Sequence, residues 1–421
     1  MTETIDWSRR YRDLIGRIPD YVAAARMTLC GFSVCLDVYL SLQALDAACR
    51  SDDSALARTL LAELKRRAVL GIGGEFAMDW PGGAAWMSRN VRGRIALGGT
   101  SAQAANLLAT LGAPALLSLA DRSVDQLSVI HPDILIVRDG EIVRRKEIRA
   151  TGSSDAIPHY IFEFTAGQTV GEIVLRRSSR VIVRFTDYGL QHDDGFERVS
   201  REQASIAGAG IISGFNELPP SGAAAEHAYA GRIATAWRKR GLDVVHLELG
   251  DYPDPGMRDT ALATLAPAVT SFGASLSELN GILPGDEPVA RRAVRLAERF
   301  GFARVCIHAD EWALSVTRGD PQRELEALSM GCLVAAVRAE AGEIVVPRCL
   351  PAEATLHEPP LDEIPGESGW SVVRCPSPHL KRPAAAIGLG DTFLAGTLLV
   401  LGGNSVASRI SDAGQIESAP P

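Results

Sequence analysis

The feature that most constrains the fold of this chain is a regular alternation of strand-like and helix-like segments. Apolar, β-branched runs at residues 210–214, 243–249 and 304–308 are separated by alanine-rich runs at 223–240 and 286–300. Strands that alternate with helices of this length are typical of βαβ units, in which parallel strands form a buried sheet. The sequence therefore predicts an α/β fold with a central, mostly parallel sheet flanked by helices.

A second pattern interrupts this alternation in the middle of the chain. Strand-like segments at 134–137, 141–148 and 181–185 have little helix between them, and Asp139-Gly140 is typical of a tight hairpin turn. We interpret this cluster as part of a separate, smaller β-rich lid.

The length of 421 residues also exceeds that of one ordinary compact domain. We expect a large α/β domain made of residues 1–32, 96–132 and 190–421. The segments 33–95 and 133–189 are expected to belong mainly to the lid and to contribute to a ligand site between the two parts.

Charge and composition argue against several classes of protein. The net charge is −8, and no stripe is dense in lysine and arginine, so we expect no nucleic-acid partner. No apolar run reaches the roughly 18–20 residues of a membrane span, and the first ten residues do not resemble a signal peptide. The seven cysteines include no CxxC pair and the eight histidines no HExxH or HxxxH spacing. We therefore expect a cytoplasmic protein with buried, reduced thiols and no local zinc motif.

The most informative motif is Gly388-Leu389-Gly390-Asp391, which is followed by the apolar run 394–401. The two glycines allow a tight turn, and the residues after them begin a helix. The N-terminus of a helix presents unpaired N–H groups and the positive end of the helix dipole, so it can bind a phosphate. An aspartate there can take a proton from an attacking hydroxyl. Taken alone, the motif is also compatible with an aspartate that merely caps a helix.

Other segments accompany this motif in a fixed order along the chain. They are Gly31-Phe32-Ser33-Val34-Cys35-Leu36-Asp37, Gly98-Gly99, His159-Tyr160-Ile161-Phe162-Glu163-Phe164, Arg180-Val181-Ile182, Ile212-Ser213-Gly214-Phe215 and His246-Leu247-Glu248. Together they resemble the ribokinase-like superfamily, and within it the ADP-dependent glucokinase/phosphofructokinase family. The resemblance covers about residues 28 to 400. It implies a ribokinase-like fold and an enzyme that transfers the β-phosphoryl group of Mg-ADP to a sugar hydroxyl and leaves AMP.

The resemblance also implies the residues of a sugar site and of a catalytic centre. The sugar would be held by Asp37, Glu75, Gly98, Gly99 and His159. Asp391 would be the catalytic base, and Gly388, Leu389 and Gly390 would supply N–H groups to the transferred phosphoryl group.

Nucleotide and metal ligands follow from the same resemblance. Arg180 and Gly390 would contact the nucleotide phosphates, and Pro376 would border the adenine pocket. Glu248 and Glu278 would order water around a Mg²⁺ cofactor, which prefers oxygen ligands. Arg180 also follows Arg176 and Arg177, so a solvated basic face remains an alternative for it.

Three positions depart from the family pattern. Ser33, Cys35 and Ser275 stand where asparagine is usual, and a thiol is a poor hydrogen-bond partner for a sugar hydroxyl. Glu75, together with a threonine at position 165 where a lysine is common in phosphofructokinases, favours an unphosphorylated, glucose-like hexose. The alternatives are an ADP-dependent phosphofructokinase, an ATP-dependent ribokinase-type kinase, and a weakly active sugar- or nucleotide-binding protein. We expect small-molecule partners only, and a monomer or small homo-oligomer.

Overall fold

The computed structural model describes residues 5–152, 156–170, 172–185, 189–190, 192–252, 254–360 and 369–406. Within these ranges no helix is both long and apolar enough to cross a membrane. The strands are β1 (Thr28–Gly31), β2 (Cys35–Tyr39), β3 (Gly74–Ala77), β4 (Arg94–Gly98), β5 (Ala115–Leu117), β6 (Leu135–Arg138), β7 (Glu141–Arg144), β8 (His159–Phe164), β9 (Thr169–Val170), β10 (Ile173–Val174), β11 (Ser179–Arg184), β12 (Ala209–Ile212), β13 (Val245–Glu248), β14 (Ser271–Ser275), β15 (Arg304–His308), β16 (Trp312–Thr317) and β17 (Ser371–Pro376). The helices are α1 (Trp7–Ala24), α2 (Leu42–Ser51), α3 (Ala55–Leu70), α4 (Gly83–Asn90), α5 (Thr100–Leu111), α6 (Val124–Val129), α7 (Asp194–Gln203), α8 (Ala223–Lys239), α9 (Pro255–Leu265), α10 (Leu276–Ile282), α11 (Val289–Phe300), α12 (Pro321–Ala341) and α13 (Leu389–Leu401).

Ten strands form one large sheet in the order β17-β16-β15-β14-β13-β12-β1-β5-β6-β7. The seven strands from β15 to β6 in that order pair in parallel, and the pairs nearer the two edges are antiparallel. Successive residues of a strand point to opposite faces, so Leu29 and Cys30 of β1 enter different hydrophobic cores. The core on one face is formed with α1, α5, α12 and α13, and the core on the other face with α7, α8, α9 and α11. The predicted α/β fold with a mostly parallel sheet between helices is confirmed.

The prediction that strands β6 and β7 belong to the lid is wrong. The hairpin of β6 and β7 does turn at Asp139 and Gly140, both of which have positive φ angles. These strands nevertheless extend the edge of the large sheet, where Leu135 pairs with Leu116 of β5. A run of alternating residues identifies a strand but not the sheet that it joins, and here the buried Ile136 and Val137 pack on opposite faces of the large sheet.

A second sheet has five strands in the order β3-β11-β8-β2-β4, and we call it the lid sheet after the predicted lid. Tyr160, Phe162 and Phe164 of β8 point to one face, where they pack with α2, α3 and α4 in a separate hydrophobic core. The alternate residues of the same strand, His159 and Glu163, point to the other face. The sheet therefore has one apolar face under helices and one face that carries polar side chains.

Two glycines bring α12 and α13 close together. A Cβ atom on Gly396 would overlap the backbone of Gly331, so the two helices can approach only because both positions lack a side chain. This contact holds the middle of α13 against the middle of α12, so packing outside the motif at 388–391 positions the helix that follows the turn.

Candidate active site

The start of α13 has the backbone geometry of an anion site. Gly388 precedes the helix with φ of 69°, a left-handed conformation that favours glycine. Its carbonyl oxygen accepts bonds from the amide (3.0 Å) and the hydroxyl (2.7 Å) of Thr392. Because the carbonyl is turned back into the helix, the first N–H groups, including those of Leu389 and Gly390, point outward from the helix end.

Arg338 holds this turn from α12, and no sequence motif indicated this residue. Its Nη1 lies 3.0 Å from the Gly388 oxygen, 2.8 Å from Oγ1 of Thr392 and 3.0 Å from Oε1 of Gln103. The side chain is buried, with 7% of its surface exposed. A Cβ on Gly388 would overlap the guanidinium group, so glycine is required there for space as well as for conformation. Arg338 therefore places a buried positive charge beside the candidate anion site.

Asp391 lies in the first turn of α13 and close to three charged groups. Burial raises the pKa of Asp391 above its usual value, while a hydrogen bond with Thr100 and the charge of Arg338 oppose that rise. The charge of Glu248 adds to the rise. A carboxylate whose pKa is raised in this way is a stronger proton acceptor than an exposed aspartate.

Glu248 ends β13 and is enclosed by two histidines. His246 Nε2 lies 2.9 Å from one carboxylate oxygen, and His308 Nε2 lies 4.0 Å from the other. Burial alone would raise the pKa of Glu248, but the hydrogen bond with His246 and the nearby His308 outweigh it and lower the pKa to about 2. Glu248 is thus a firmly ionised carboxylate at the carboxyl edge of the parallel sheet.

Glu278 has a structural partner that its sequence context explains. Oε2 of Glu278 accepts the amide of Ser275 at 2.6 Å, and Oγ of Ser275 accepts the amide of Glu278 at 3.2 Å, which makes a capping box at the start of α10. Burial, and then the charge of Glu248, raise the pKa of Glu278. The serine that replaces the expected asparagine therefore orients Glu278 through the helix cap.

The candidate sugar residues meet on the polar face of the lid sheet. Asp37 of β2 pairs with His159 of β8, and His159 Nδ1 lies 3.9 Å from Oδ1 of Asp37. Both side chains are buried, and burial lowers the pKa of His159 to about 4, so its imidazole is neutral. Gly98 pairs with Cys35, and a Cβ on Gly98 would overlap the Asp37 carboxylate and the Cys35 thiol. The absence of a side chain at Gly98 leaves room beside these groups.

Glu75, another candidate sugar residue, has a charged neighbour in the lid sheet. Its Oε2 lies 3.6 Å from Nε of Arg184, a residue of β11 with only 4% of its side chain exposed. The expectation of an unphosphorylated sugar depended on the negative charge of Glu75. Arg184 offsets part of that charge. Arg184 is a second residue that the motif comparison missed.

Arg180 reaches from the lid to the segment that precedes α13. Its Nη1 donates to the oxygen of Ala386 at 3.3 Å, and Glu163, its partner across the sheet, accepts the amide of the same Ala386 at 3.1 Å. Its charge also lowers the pKa of Asp391, although burial raises that pKa more strongly. The exposed Arg180 thus contacts the chain two residues before the motif that begins at Gly388.

Gly99 and Pro376 complete the predicted set. Gly99, with φ of 89°, precedes α5, whose first residue Thr100 lies near enough to Asp391 to lower its pKa, so the two candidate groups adjoin there. Pro376 ends β17 opposite Trp312, at the end of the sheet where His308 lies two strands away. The oxygen of Pro376 accepts the hydroxyl of Tyr11 at 2.5 Å, so α1 supports this edge.

The arrangement fits a divalent cation near Glu248 and Glu278. Two neighbouring carboxylates repel each other, which is why the charge of Glu248 raises the pKa of Glu278. A hard cation relieves that repulsion and prefers carboxylate oxygen and water. The donor set is therefore suitable for Mg²⁺.

Comparison with known proteins decides the family. The conserved region of the ADP-specific phosphofructokinase/glucokinase family matches residues 28–287, which is more than half of the chain. The chain belongs to the ADP-specific phosphofructokinase/glucokinase family. The predicted identity as an ADP-dependent sugar kinase, a phosphotransferase with an alcohol acceptor, is confirmed at the level of this family.

Individual relatives of this kinase divide between two substrates. It is 24% identical to an ADP-dependent glucose/glucosamine kinase of Pyrococcus furiosus over 73% of this chain and 76% of that one. It is 25% identical to an ADP-specific phosphofructokinase of Thermococcus litoralis over 71% of this chain and 76% of that one. Nearly equal identities leave the sugar undecided.

Solved structures show the same fold for the kinase. An ADP-dependent kinase in complex with fructose-6-phosphate and ADPβS has a TM-score of 0.74 at 17% identity and covers 95% of this chain and 99% of that one. A hypothetical ADP-dependent phosphofructokinase from Pyrococcus horikoshii OT3 has a TM-score of 0.70 at 17% identity and covers 90% and 98%. The kinase therefore has the two-part fold of ADP-dependent kinases.

Proposed function

We propose that this kinase transfers the β-phosphoryl group of Mg-ADP to a hydroxyl of an unphosphorylated, glucose-like hexose and releases AMP. The observation that carries the proposal is the position of Asp391 in the first turn of α13, where Arg338 holds Gly388 and Thr392 and where the adjoining Thr100 follows the proposed sugar segment Gly98-Gly99. This is where a base and an anion site must meet for phosphoryl transfer.

Each residue of the start of α13 has a separate task. Asp391 accepts the proton of the sugar hydroxyl as that oxygen attacks phosphorus. The N–H groups of Gly388, Leu389 and Gly390 donate to the oxygens on which negative charge develops, and Arg338 keeps the turn in the geometry that aims them. Because these donors are backbone groups fixed before substrate binds, little reorganisation is needed during the reaction.

The nucleotide is expected to lie between the large sheet and the lid. Arg180 would contact its phosphates from the lid, and Pro376 would border its base at the edge of the large sheet. Glu248 and Glu278 would hold a Mg²⁺ ion, whose chemistry is to neutralise charge on the phosphate oxygens. We assign residues 1–32, 99–132 and 190–421, with the β6–β7 hairpin added, to the large domain, because β4 (Arg94–Gly98) pairs in the second sheet. Closing the lid over the cleft would exclude water from the phosphoryl group.

The sugar would lie against the polar face of the lid sheet. Asp37 and the neutral His159 would bond its hydroxyls, and Glu75 would accept a bond from a hydroxyl where a phosphorylated sugar carries its phosphate. The buried Arg184 beside Glu75 supports fructose-6-phosphate as a second candidate, because its positive charge weakens the repulsion between Glu75 and a sugar phosphate.

A coupled assay of sugars and sugar phosphates against ADP and ATP tests the proposal. We expect AMP and sugar phosphate in equal amounts from ADP and glucose, with a higher kcat/KM for glucose than for fructose-6-phosphate. Higher kcat/KM for fructose-6-phosphate would reverse the choice of sugar. Turnover with ATP alone would contradict ADP as the donor, and nucleotide binding without turnover on any sugar would identify a binding protein.

A further inference from the structure

Three side chains of different chemistry converge in the sugar pocket. Cys35 Sγ lies 3.6 Å from Nδ1 of His159 and 3.8 Å from Oδ1 of Asp37, and the third side of this triangle, His159 to Asp37, is 3.9 Å. A thiol, an imidazole and a carboxylate thus present one ligand atom each to a common point. The proposed phosphoryl transfer does not use the Cys35 thiol.

These distances are close to those of a tetrahedral zinc site. With bonds of about 2.3 Å to sulfur and about 2.0–2.2 Å to nitrogen and oxygen, tetrahedral ligand atoms are about 3.3–3.6 Å apart. The observed separations exceed these values by at most about half an ångström, which side-chain rotation covers. Asp37 and His159 are adjacent partners in the sheet, and Cys35 is two residues from Asp37 on the same strand face, so the backbone already holds the three ligands in place.

Charge also favours a divalent cation at this point. A thiolate, a carboxylate and a neutral imidazole together carry two negative charges, which a dication neutralises in a buried site. The other charged groups that face His159 are Glu75 and Arg184, and they pair with each other at 3.6 Å. The space beside Gly98 adjoins both Cys35 and Asp37, so the fourth coordination position has room on the open side.

We propose that Cys35, Asp37 and His159 form a zinc site in which Zn²⁺ competes with the sugar. Sulfur and imidazole ligands select Zn²⁺ over Mg²⁺, which prefers oxygen alone. Binding forms one bond each to sulfur, nitrogen and oxygen, and the thiol proton is released to solvent. The competition rests on the proposed role of Asp37 as a sugar ligand, whereas the zinc site itself does not.

Binding is measured first on the full-length kinase, with Co²⁺ as a spectroscopic substitute for Zn²⁺. A bound thiolate gives a sulfur-to-cobalt charge-transfer absorption, which surface sites made only of histidine and carboxylate cannot give. We expect one such site per chain, displaced by Zn²⁺ and unaffected by excess Mg²⁺. Cys35→Ser should remove the absorption and weaken zinc binding about 100-fold or more, since it deletes a direct ligand.

Two matched controls separate this site from other zinc-binding groups. Cys349 is the exposed thiol among the described cysteines, and Glu311, His357 and His379 form a second cluster of possible ligands. Cys349→Ser and His379→Ala should keep the absorption. If Cys35→Ser unfolds, Cys35→Ala serves in its place, with thermal unfolding as the check. A charge-transfer absorption that survives loss of Cys35, or that never forms, would overturn the proposal.

Kinetics then separate the zinc site from the sugar assignment. With Mg-ADP saturating, low Zn²⁺ should raise the apparent KM for the sugar at least tenfold and leave kcat unchanged. Zinc bound through Cys35 with no change in that KM would support the metal site and instead refute Asp37 as a sugar ligand. Loss of kcat at constant KM in both wild type and Cys35→Ser would trace the inhibition to the carboxylates near the nucleotide, against competition at Cys35.

Discussion

The two ends of the proposed active-site cleft differ in the groups that would contact substrate: backbone N–H groups at one end and side chains at the other. The proposed phosphoryl end is a helix N-terminus, where the backbone of 388–391 would supply the donors and Arg338 bonds to the turn that carries them. The sugar end is a sheet face, where side chains such as Asp37, His159 and Glu75 supply every specific contact that we assign. Backbone donors survive most substitutions around them, whereas one changed side chain alters a pocket wall. The chemistry is therefore expected to be robust and the choice of sugar easy to change.

Among substitutions that leave Asp391 in place, the largest effect should follow from a side chain at the turn itself. Gly388→Ala places a Cβ against the Arg338 guanidinium and forces alanine to φ of 69°, which costs about 1–2 kcal/mol for the backbone alone. Because the N–H donors would shift, we expect kcat to fall about 100-fold. Gly16→Ala in α1 is the matched control, since a Cβ there meets nothing within 4 Å. A Gly388→Ala enzyme with normal kcat would show that the turn need not be rigid.

Arg338 should matter less, because it acts through the turn. Arg338→Met removes the bonds to Gly388, Thr392 and Gln103, and we expect a loss of about 2–3 kcal/mol in stability and about tenfold in kcat, with little change in the KM for sugar. Arg323, also on α12, donates to Val400 and Leu401 at the other end of α13. Arg323→Met should lower the unfolding temperature and leave kcat intact. Equal kinetic losses in both variants would reduce Arg338 to a general support of the helix.

At the sugar end we expect a change of selectivity with the chemistry preserved. Glu75→Gln removes the charge that pairs with Arg184 and leaves this cation available to a sugar phosphate. The ratio of kcat/KM for fructose-6-phosphate to that for glucose should rise about tenfold. Arg184→Met should shift the same ratio in the opposite direction. An unchanged ratio in Glu75→Gln would remove Glu75 from the selectivity determinants.

The smallest effect is a displacement of the pH profile of kcat. Burial raises the pKa of Asp391, and a protonated carboxyl cannot accept the proton of the sugar. The rate should therefore fall as the pH is lowered through a pKa above the usual value of about 3.9 for aspartate. Steady-state rates from about pH 4 to 9 at saturating substrates give this limb. A rate that stays constant down to the lowest pH would mean that Asp391 is not the titrating group.

Sequence patterns predicted some helices and strands of the fold and missed others. Helix α11 and strand β15 follow from local periodicity, and β15 has the predicted bounds of Arg304 and His308. Local patterns could not assign β6 and β7 to a sheet, because pairing with β5 depends on a distant strand. Helix α1 was not predicted, although Tyr11, Leu14 and Ile18 form its buried stripe, because Gly16 and Pro19 within it disfavour a helix.

The same limit applies to the site. Asp391 and Asp37 could be predicted because each lies within a short, recognisable motif. Arg338 lies 50 residues before Gly388, and the contact depends on the packing of α12 on α13. Cys35 and His159 are 124 residues apart and meet only through the pairing of β2 with β8. A search for short zinc motifs could not find such a cluster.

The central claim is that Asp391 is the base at the phosphoryl end, and Asp391→Asn tests it most directly. The measurement is kcat for AMP formation from ADP and sugar, made beside wild type together with thermal unfolding and ADP binding. We expect kcat to fall about 1,000-fold or more while the unfolding temperature and ADP affinity are kept. An Asp391→Asn enzyme that turns over at the wild-type rate would contradict the account.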